Sequence, residues 1–216
     1  GDTPLSGRLT LALRSLGWAR VLAPEFDRID GALTAQIEAG GSIAAPRLTG
    51  KLDGERIALR AIGPGVDLRD GRLRASLDGN RLMLNAFDIR AGRGRITASG
   101  NADLDGGLQR LELEARAESA QILLAPQWNA TVSGSGKLGL RDRRIAINGR
   151  FVLDEGRYDL GNQTRPELGD DVIIRPAAGK PAERASTLPA QLDVSIDLNN
   201  RLALRGNGLD ALLGGT

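Results

Sequence analysis

The feature that most constrains this chain is a two-residue rhythm of aliphatic and charged side chains, held through most of its length. Leu9, Leu11 and Leu13 alternate with Arg8, Thr10 and Arg14, and Leu73, Ala75 and Leu77 with Arg72, Arg74 and Ser76. The same holds for Leu111, Leu113 and Ala115 among Arg110, Glu112, Glu114 and Arg116, and for Leu192, Val194 and Ile196 among Asp193, Ser195 and Asp197. Successive side chains of an extended strand point to opposite faces, so the rhythm predicts half-buried β-strands with one apolar face and one charged face. Helical spacing is scarce. Two related stretches, Leu16 to Phe26 and Ser119 to Trp128, each carry an aliphatic pair followed by Ala-Pro. Each is read as a turn or short helix plugging an end or edge of the sheet.

A repeated phrase marks the turns. Leu52-Asp53-Gly54-Glu55-Arg56-Ile57-Ala58-Leu59 recurs as Leu77-Asp78-Gly79-Asn80-Arg81-Leu82-Met83-Leu84, with looser copies at Leu140 to Ile147 and Leu198 to Leu204. Asp-Gly between alternating runs favours a two-residue hairpin loop. Loops at Asp53-Gly54 and Asp78-Gly79 place Leu48 opposite Leu59 and Ala75 opposite Leu82, with the aliphatics on one side in both. The Asn199-Asn200 copy has the opposite parity and predicts an odd-length loop with asparagine in the left-handed region. Between residues 161 and 190 the alternation stops, and Pro166, Pro176, Pro181 and Pro189 fall there among charged residues and alanines. This stretch reads as a long loop, with Val172-Ile173-Ile174 as a short strand inside it. Because the rhythm resumes at Leu192, the loop is expected to interrupt one sheet, within a single elongated β domain spanning 1–216.

Composition removes most chemistry. The 216 residues include no histidine and no cysteine, which excludes thiol nucleophiles, imidazole acid/base catalysis, disulfides and structural zinc and argues against an enzyme. Glycine numbers 29 while aromatics are 3%, so any interior is built of small aliphatics. Lys+Arg is 29 against 27 Asp+Glu, a formal charge of +2, too balanced for a nucleic-acid partner. Gly134-Ser135-Gly136-Lys137-Leu138-Gly139 spells a dinucleotide fingerprint, but a hairpin phrase comes after it where the phosphate site needs a helix. Asp154-Glu155 and Asp170-Asp171 lack calcium-loop spacing and read as solvated carboxylates, and Arg90, Arg93 and Arg95 as a solvated strand face. No cofactor and no metal is expected. No run reaches the roughly 18 apolar residues of a membrane-spanning helix. The chain opens with Gly1, so it is expected to be a piece of a longer protein.

Several phrases carry a family resemblance. Gly31-Ala32-Leu33 followed by Gly41-Ser42-Ile43-Ala44-Ala45-Pro46-Arg47-Leu48-Thr49-Gly50 resembles the G-x-L…G-x-I-x-x-P-x-L-x-G phrase of the TamB family, which belongs with the AsmA-like proteins of Gram-negative envelopes. Ile96 to Leu104, Phe151 to Arg157 and Arg205 to Ala211 are similar to other phrases of that family's C-terminal region. The resemblance implies a periplasmic body spanning towards the outer membrane, an inner-membrane anchor outside these residues and a TamA-type outer-membrane barrel as partner. It also implies a long, strongly curved sheet curled into a trough with an apolar interior, called a β-taco, and no catalytic residues.

A sheet with one apolar face must bury it against another layer, by closing on itself, or against a ligand. With few helices on offer, the alternatives are a β-sandwich, a small closed barrel and an incompletely closed curl that holds lipid. A transmembrane barrel is disfavoured, because it needs girdles of aromatic residues. Parity selects the lining of the lipid-binding groove as Leu48, Leu52, Ile57, Leu59, Leu73, Leu77, Leu82, Leu84, Leu111, Leu113, Leu138, Leu140, Ile145, Ile147, Leu192, Val194, Ile196, Leu202 and Leu204. The expected function is to shield phospholipid acyl chains on their way between inner and outer membranes. The alternative is an assembly factor that offers a sheet edge, or the same trough, to unfolded strands of outer-membrane proteins.

Overall fold

A computed structural model describes residues 3–21, 23–43, 45–62, 65–105, 107–125, 127–160 and 189–215. Nine strands follow one another as sequential antiparallel neighbours: β1 (Gly7–Leu13), β2 (Arg28–Gly41), β3 (Pro46–Ala61), β4 (Val66–Asp78), β5 (Arg81–Ala91), β6 (Gly94–Asp103), β7 (Arg110–Ala125), β8 (Trp128–Arg141) and β9 (Arg144–Asp159). Three shorter strands complete the sheet: β10 (Ala190–Asp197), β11 (Leu202–Gly206) and β12 (Leu209–Leu213). β10 and β11 lie end to end along β9 and run parallel to it, and β12 returns antiparallel on β11. The result is one long twelve-stranded sheet, all-β and mostly antiparallel, that does not close into a barrel.

The parallel joint departs from an all-hairpin expectation. β10 lies parallel to β9, whereas strands joined by hairpins pair antiparallel. The Asn199-Asn200 phrase is therefore not a hairpin. Asn199 and Asn200 do take left-handed backbone, at φ 47 and 52, but they form a jog between β10 and β11 as both track β9. The long loop expected at 161–190 lies, but for its last two residues, outside the described residues, and so do the short strand expected at Val172-Ile173-Ile174 and the pair Asp170-Asp171.

Register corrects two further turns. Asp53-Gly54 does not turn the chain: it lies inside the 16-residue strand β3, and the pairing slips between Gly54 and Ile57, where Arg56 adopts φ 53. A one-residue bulge and a two-residue hairpin both reverse the parity of the residues beyond them, so Leu48, Leu52, Ile57 and Leu59 share a face either way. Asp78 pairs with Arg81, so the turn is Gly79-Asn80 and Ala75 faces Leu84. This register is two residues from the expected one, which leaves sidedness unchanged. Similar slips occur at Asp30/Ala32, Arg69/Arg72, Leu84/Phe87 and Ala117/Ala120. At each, the apolar positions change phase with the backbone. Leu82 and Leu84 give way to Phe87 and Ile89, and Ala115 and Ala117 to Ala120.

Of the two expected plugs, the first contains a 3-10 helix at Gly17–Val21. The second is strand: β7 runs on to Ala125 and β8 starts at Trp128. At this end of the sheet strands that are not neighbours, β4 and β5 on one side and β7 on the other, come into contact. The Leu124 N–H donates to the Gly65 carbonyl at 2.9 Å, joining the β3–β4 loop to β7 across the intervening β5–β6 hairpin. Ala91 and Ala120 are wholly buried there, and Val132, Leu153 and Ala117 close round them with Leu68, Ile96, Phe151 and Leu202 packed outside. This is the packed end of the molecule.

Candidate functional site: the apolar face

Away from the packed end the register lines up uninterrupted apolar rows. One row crosses ten strands as Leu11, Ala35, Leu52, Ala75, Leu84, Gly100, Leu113, Leu138, Ile147 and Leu192. The next, towards the far end, runs Leu9, Ile37, Gly50, Leu77, Leu82, Ala102, Leu111, Leu140, Ile145 and Ala190. Opposed side chains in a ladder are close neighbours, so each row is a continuous strip of hydrocarbon without a polar interruption. Most of its members in the middle strands are only half-buried, and those near the sheet edges are open, with Leu9 at 58% and Leu192 at 70% exposure.

The nineteen residues selected by parity fall on this one face, in three environments. Leu52, Leu73, Leu77, Leu82, Leu84, Leu111, Leu113, Leu138, Leu140, Ile145 and Ile147 are half-buried in the middle strands, and Leu59 in the same class lies nearer the packed end. Leu48, Leu192, Val194 and Ile196 are exposed. Ile57 is buried, Leu202 packs against the buried cluster, and Leu204 is half-buried beside it, facing Tyr158. Sequence reasoning passed over Leu33, Ile37, Phe87, Ile89, Val132, Phe151 and Leu153, which share the face by register. Their signal was present but obscured. Bulges shift the phase before Phe87, and glycines fill the neighbouring in-phase positions around Phe151.

Those glycines make the face shallow. Phe151 lies where a Cβ on Gly134 would sit 2.7 Å from its Cδ1, and one on Gly149 the same distance from its Cε2. Likewise, a Cβ on Gly71 would meet Ile57 and Ile89 at 2.9 Å. Large side chains thus lie flat over bare backbone instead of standing up into the space above the sheet. The literal G-x-G-x-x-G at Gly134 to Gly139 is part of this arrangement, within β8.

The opposite face is a lattice of exposed cross-strand ion pairs. Arg8 and Glu38 are register partners joined at 2.7 Å, and Lys137 reaches its partner Glu114 at 3.6 Å. Arg95 meets Asp88 at 3.7 Å and Arg90 meets Asp70 at 3.5 Å, which accounts for two members of the Arg90, Arg93, Arg95 group. Such solvated pairs are each worth about 0–1 kcal/mol; their main effect is to keep this face wet. Asp154 accepts a 2.6 Å hydrogen bond from the Ser133 hydroxyl beside the bulges of β7 and β9. Among the described residues no three acidic side chains gather as a metal site, and no helix is long and apolar enough to cross a membrane.

Among known protein families, the model described as TamB C-terminal domain matches residues 81–216, from the start of β5 onwards. No solved structure matches the chain.

Proposed function

The chain belongs to the TamB family, whose role is in envelope biogenesis, and from that premise we propose that its apolar face is a trough that carries phospholipid acyl chains through the periplasm. The observation that supports the reading most is the pair of ten-strand rows that stay apolar throughout yet are for the most part only half-buried or exposed. Each methylene withheld from water is worth about 0.8 kcal/mol, so a chain of some 16 carbons costs roughly 12 kcal/mol to pass bare through water. Side chains of similar size at similar depth offset that cost without a deep well in which the lipid would stall. The charged headgroup stays in water at the mouth of the trough. In this reading the protein is non-enzymatic and anchored to the inner membrane through a segment outside these residues. It delivers to, or through, a TamA-type outer-membrane barrel.

A second reading rests on the sheet edges. Among the described residues β1 and β10 each pair on one side only and carry exposed aliphatics, which suits the addition of unfolded outer-membrane protein strands. A photo-crosslinking amino acid in place of Leu84 separates the two. Phospholipid adducts by mass spectrometry are the expected result; adducts with polypeptide alone support the assembly reading and overturn the trough.

A further inference from the structure

On the charged face at the packed end, three adjacent strands break register side by side. Gly31 in β2 has φ 134, Arg56 in β3 φ 53 and Asp70 in β4 φ 54. Glycine adopts such backbone freely, whereas arginine and aspartate do so only under constraint from their surroundings. The bulges open a cleft of about 460 Å³. Five arginines line it, Arg14, Arg28, Arg56, Arg60 and Arg69, together with Asp30, Asp67 and Asp70. Five positive and three negative groups leave +2, as much as the formal charge of the entire chain.

Pairing within the cleft is incomplete. Arg28 donates to Asp30 at 2.8 Å, Arg69 pairs with Asp67, and Asp70 has Arg90 at 3.5 Å. Arg14, Arg56 and Arg60 form no ion pair among the described residues. Two of the unpaired groups, Arg56 and Arg60, nevertheless act on carboxylates of the cleft. The Asp67 carboxyl is held below its usual range by the Arg69 hydrogen bond, with Arg60 and Arg28 adding to the effect, and Asp30 by Arg28 with a contribution from Arg56. Arginines in excess of the carboxylates in one cleft repel one another, and a bound anion offsets that repulsion. Guanidinium forks match the oxygens of a tetrahedral phosphate and bind it bidentately.

We propose that this cleft is a binding site for a phosphate-bearing anion, with Arg56 and Arg60 as its principal ligands and Arg14 completing it. Arg28, Asp30, Arg60, Asp67 and Arg69 alternate along their strands with Ile29, Leu59 and Leu68 of the apolar face. The charged groups of the cleft therefore stand on the face opposite the trough, while Leu59 and Leu68 of the apolar face also contribute to its lining. Free phosphate and a phospholipid headgroup share this chemistry.

The test titrates the full chain with inorganic phosphate by calorimetry in low salt. In parallel it floats the chain with vesicles of phosphatidylcholine, with and without phosphatidylglycerol. Arg60→Gln and Arg56→Gly are compared with Arg116→Gln, whose guanidinium is paired with Glu118 elsewhere on the charged face. The two cleft variants are expected to weaken binding about tenfold each and the control to leave it unchanged. Because Arg56→Gly also relieves left-handed backbone, it should bind less while melting no lower. Phosphate binding without vesicle capture assigns the site to the free ion, and capture of the phosphatidylglycerol vesicles alone assigns it to a headgroup. Binding to neither, or an equal loss in the control, overturns the proposal.

Discussion

Gly149 and Phe151 illustrate how single residues set the depth of the apolar face. A side chain at Gly149 enters the space of the Phe151 ring, and overpacking of this kind costs about 1–3 kcal/mol. Gly149→Val is therefore expected to lower stability by that amount in urea titration, and Phe151→Ala in the same chain to recover part of the loss. Electrostatics at residue scale is weaker. Asp67 is held below the usual carboxylate range by Arg69. A lowered folded value means the stabilisation is complete above the unfolded pKa near ~3.9 and disappears as pH falls through the folded value. Discounted for solvent screening, Asp67→Asn should cost no more than about 1 kcal/mol at pH 7. The difference from the parent should begin to shrink as pH falls below about 4 and vanish only below the lowered folded value, as read from melting temperature against pH.

At the scale of elements, turns and bulges compete for the same local signal. The β8–β9 hairpin turns on Asp142-Arg143, both left-handed at φ 51 and 58, with Leu140 opposite Ile145. Asn-Gly is the pair best suited to that geometry. Replacing Asp142 with Asn and Arg143 with Gly is expected to raise stability by about 0.5–1 kcal/mol, measured by thermal unfolding. At Asp53-Gly54 the same Asp-Gly spelling lies mid-strand. There Gly54 is buried, and a Cβ on it would meet Ile57 and Leu73 at 3.0 and 3.2 Å. A dipeptide records that the backbone needs a small residue with a phase change beside it. Whether the chain then reverses or continues depends on which strands are available to pair on either side.

For the molecule as a whole, the decisive fact is uneven burial. The packed end has a core of fully enclosed small aliphatics, whereas the rows through Leu84 and Leu113 lie open on one side. An arginine placed in the core leaves a charge without water or partner, while one on the open face can reach solvent. Val132→Arg is thus expected to cost several kcal/mol or prevent folding, and Leu84→Arg to keep the parent's circular dichroism and melt within a few degrees of it. Equal damage from both would mean that the open rows are part of a closed core.

The sequence by itself determined the class of structure and the sidedness of nearly every strand, because alternation is a two-residue property that each segment carries without reference to its neighbours. It also pointed to the left-handed asparagines at 199 and 200 and the hairpin at Leu140 to Ile147. Only the tertiary structure decided that β10 and β11 run parallel to β9, that Asp53-Gly54 is a bulge, that β7 continues through Ser119 to Ala125, and which end of the sheet is packed. Those outcomes are non-local: each depends on the competition between distant strands for the same backbone hydrogen bonds, and on how far the accumulated twist brings Gly65 to Leu124.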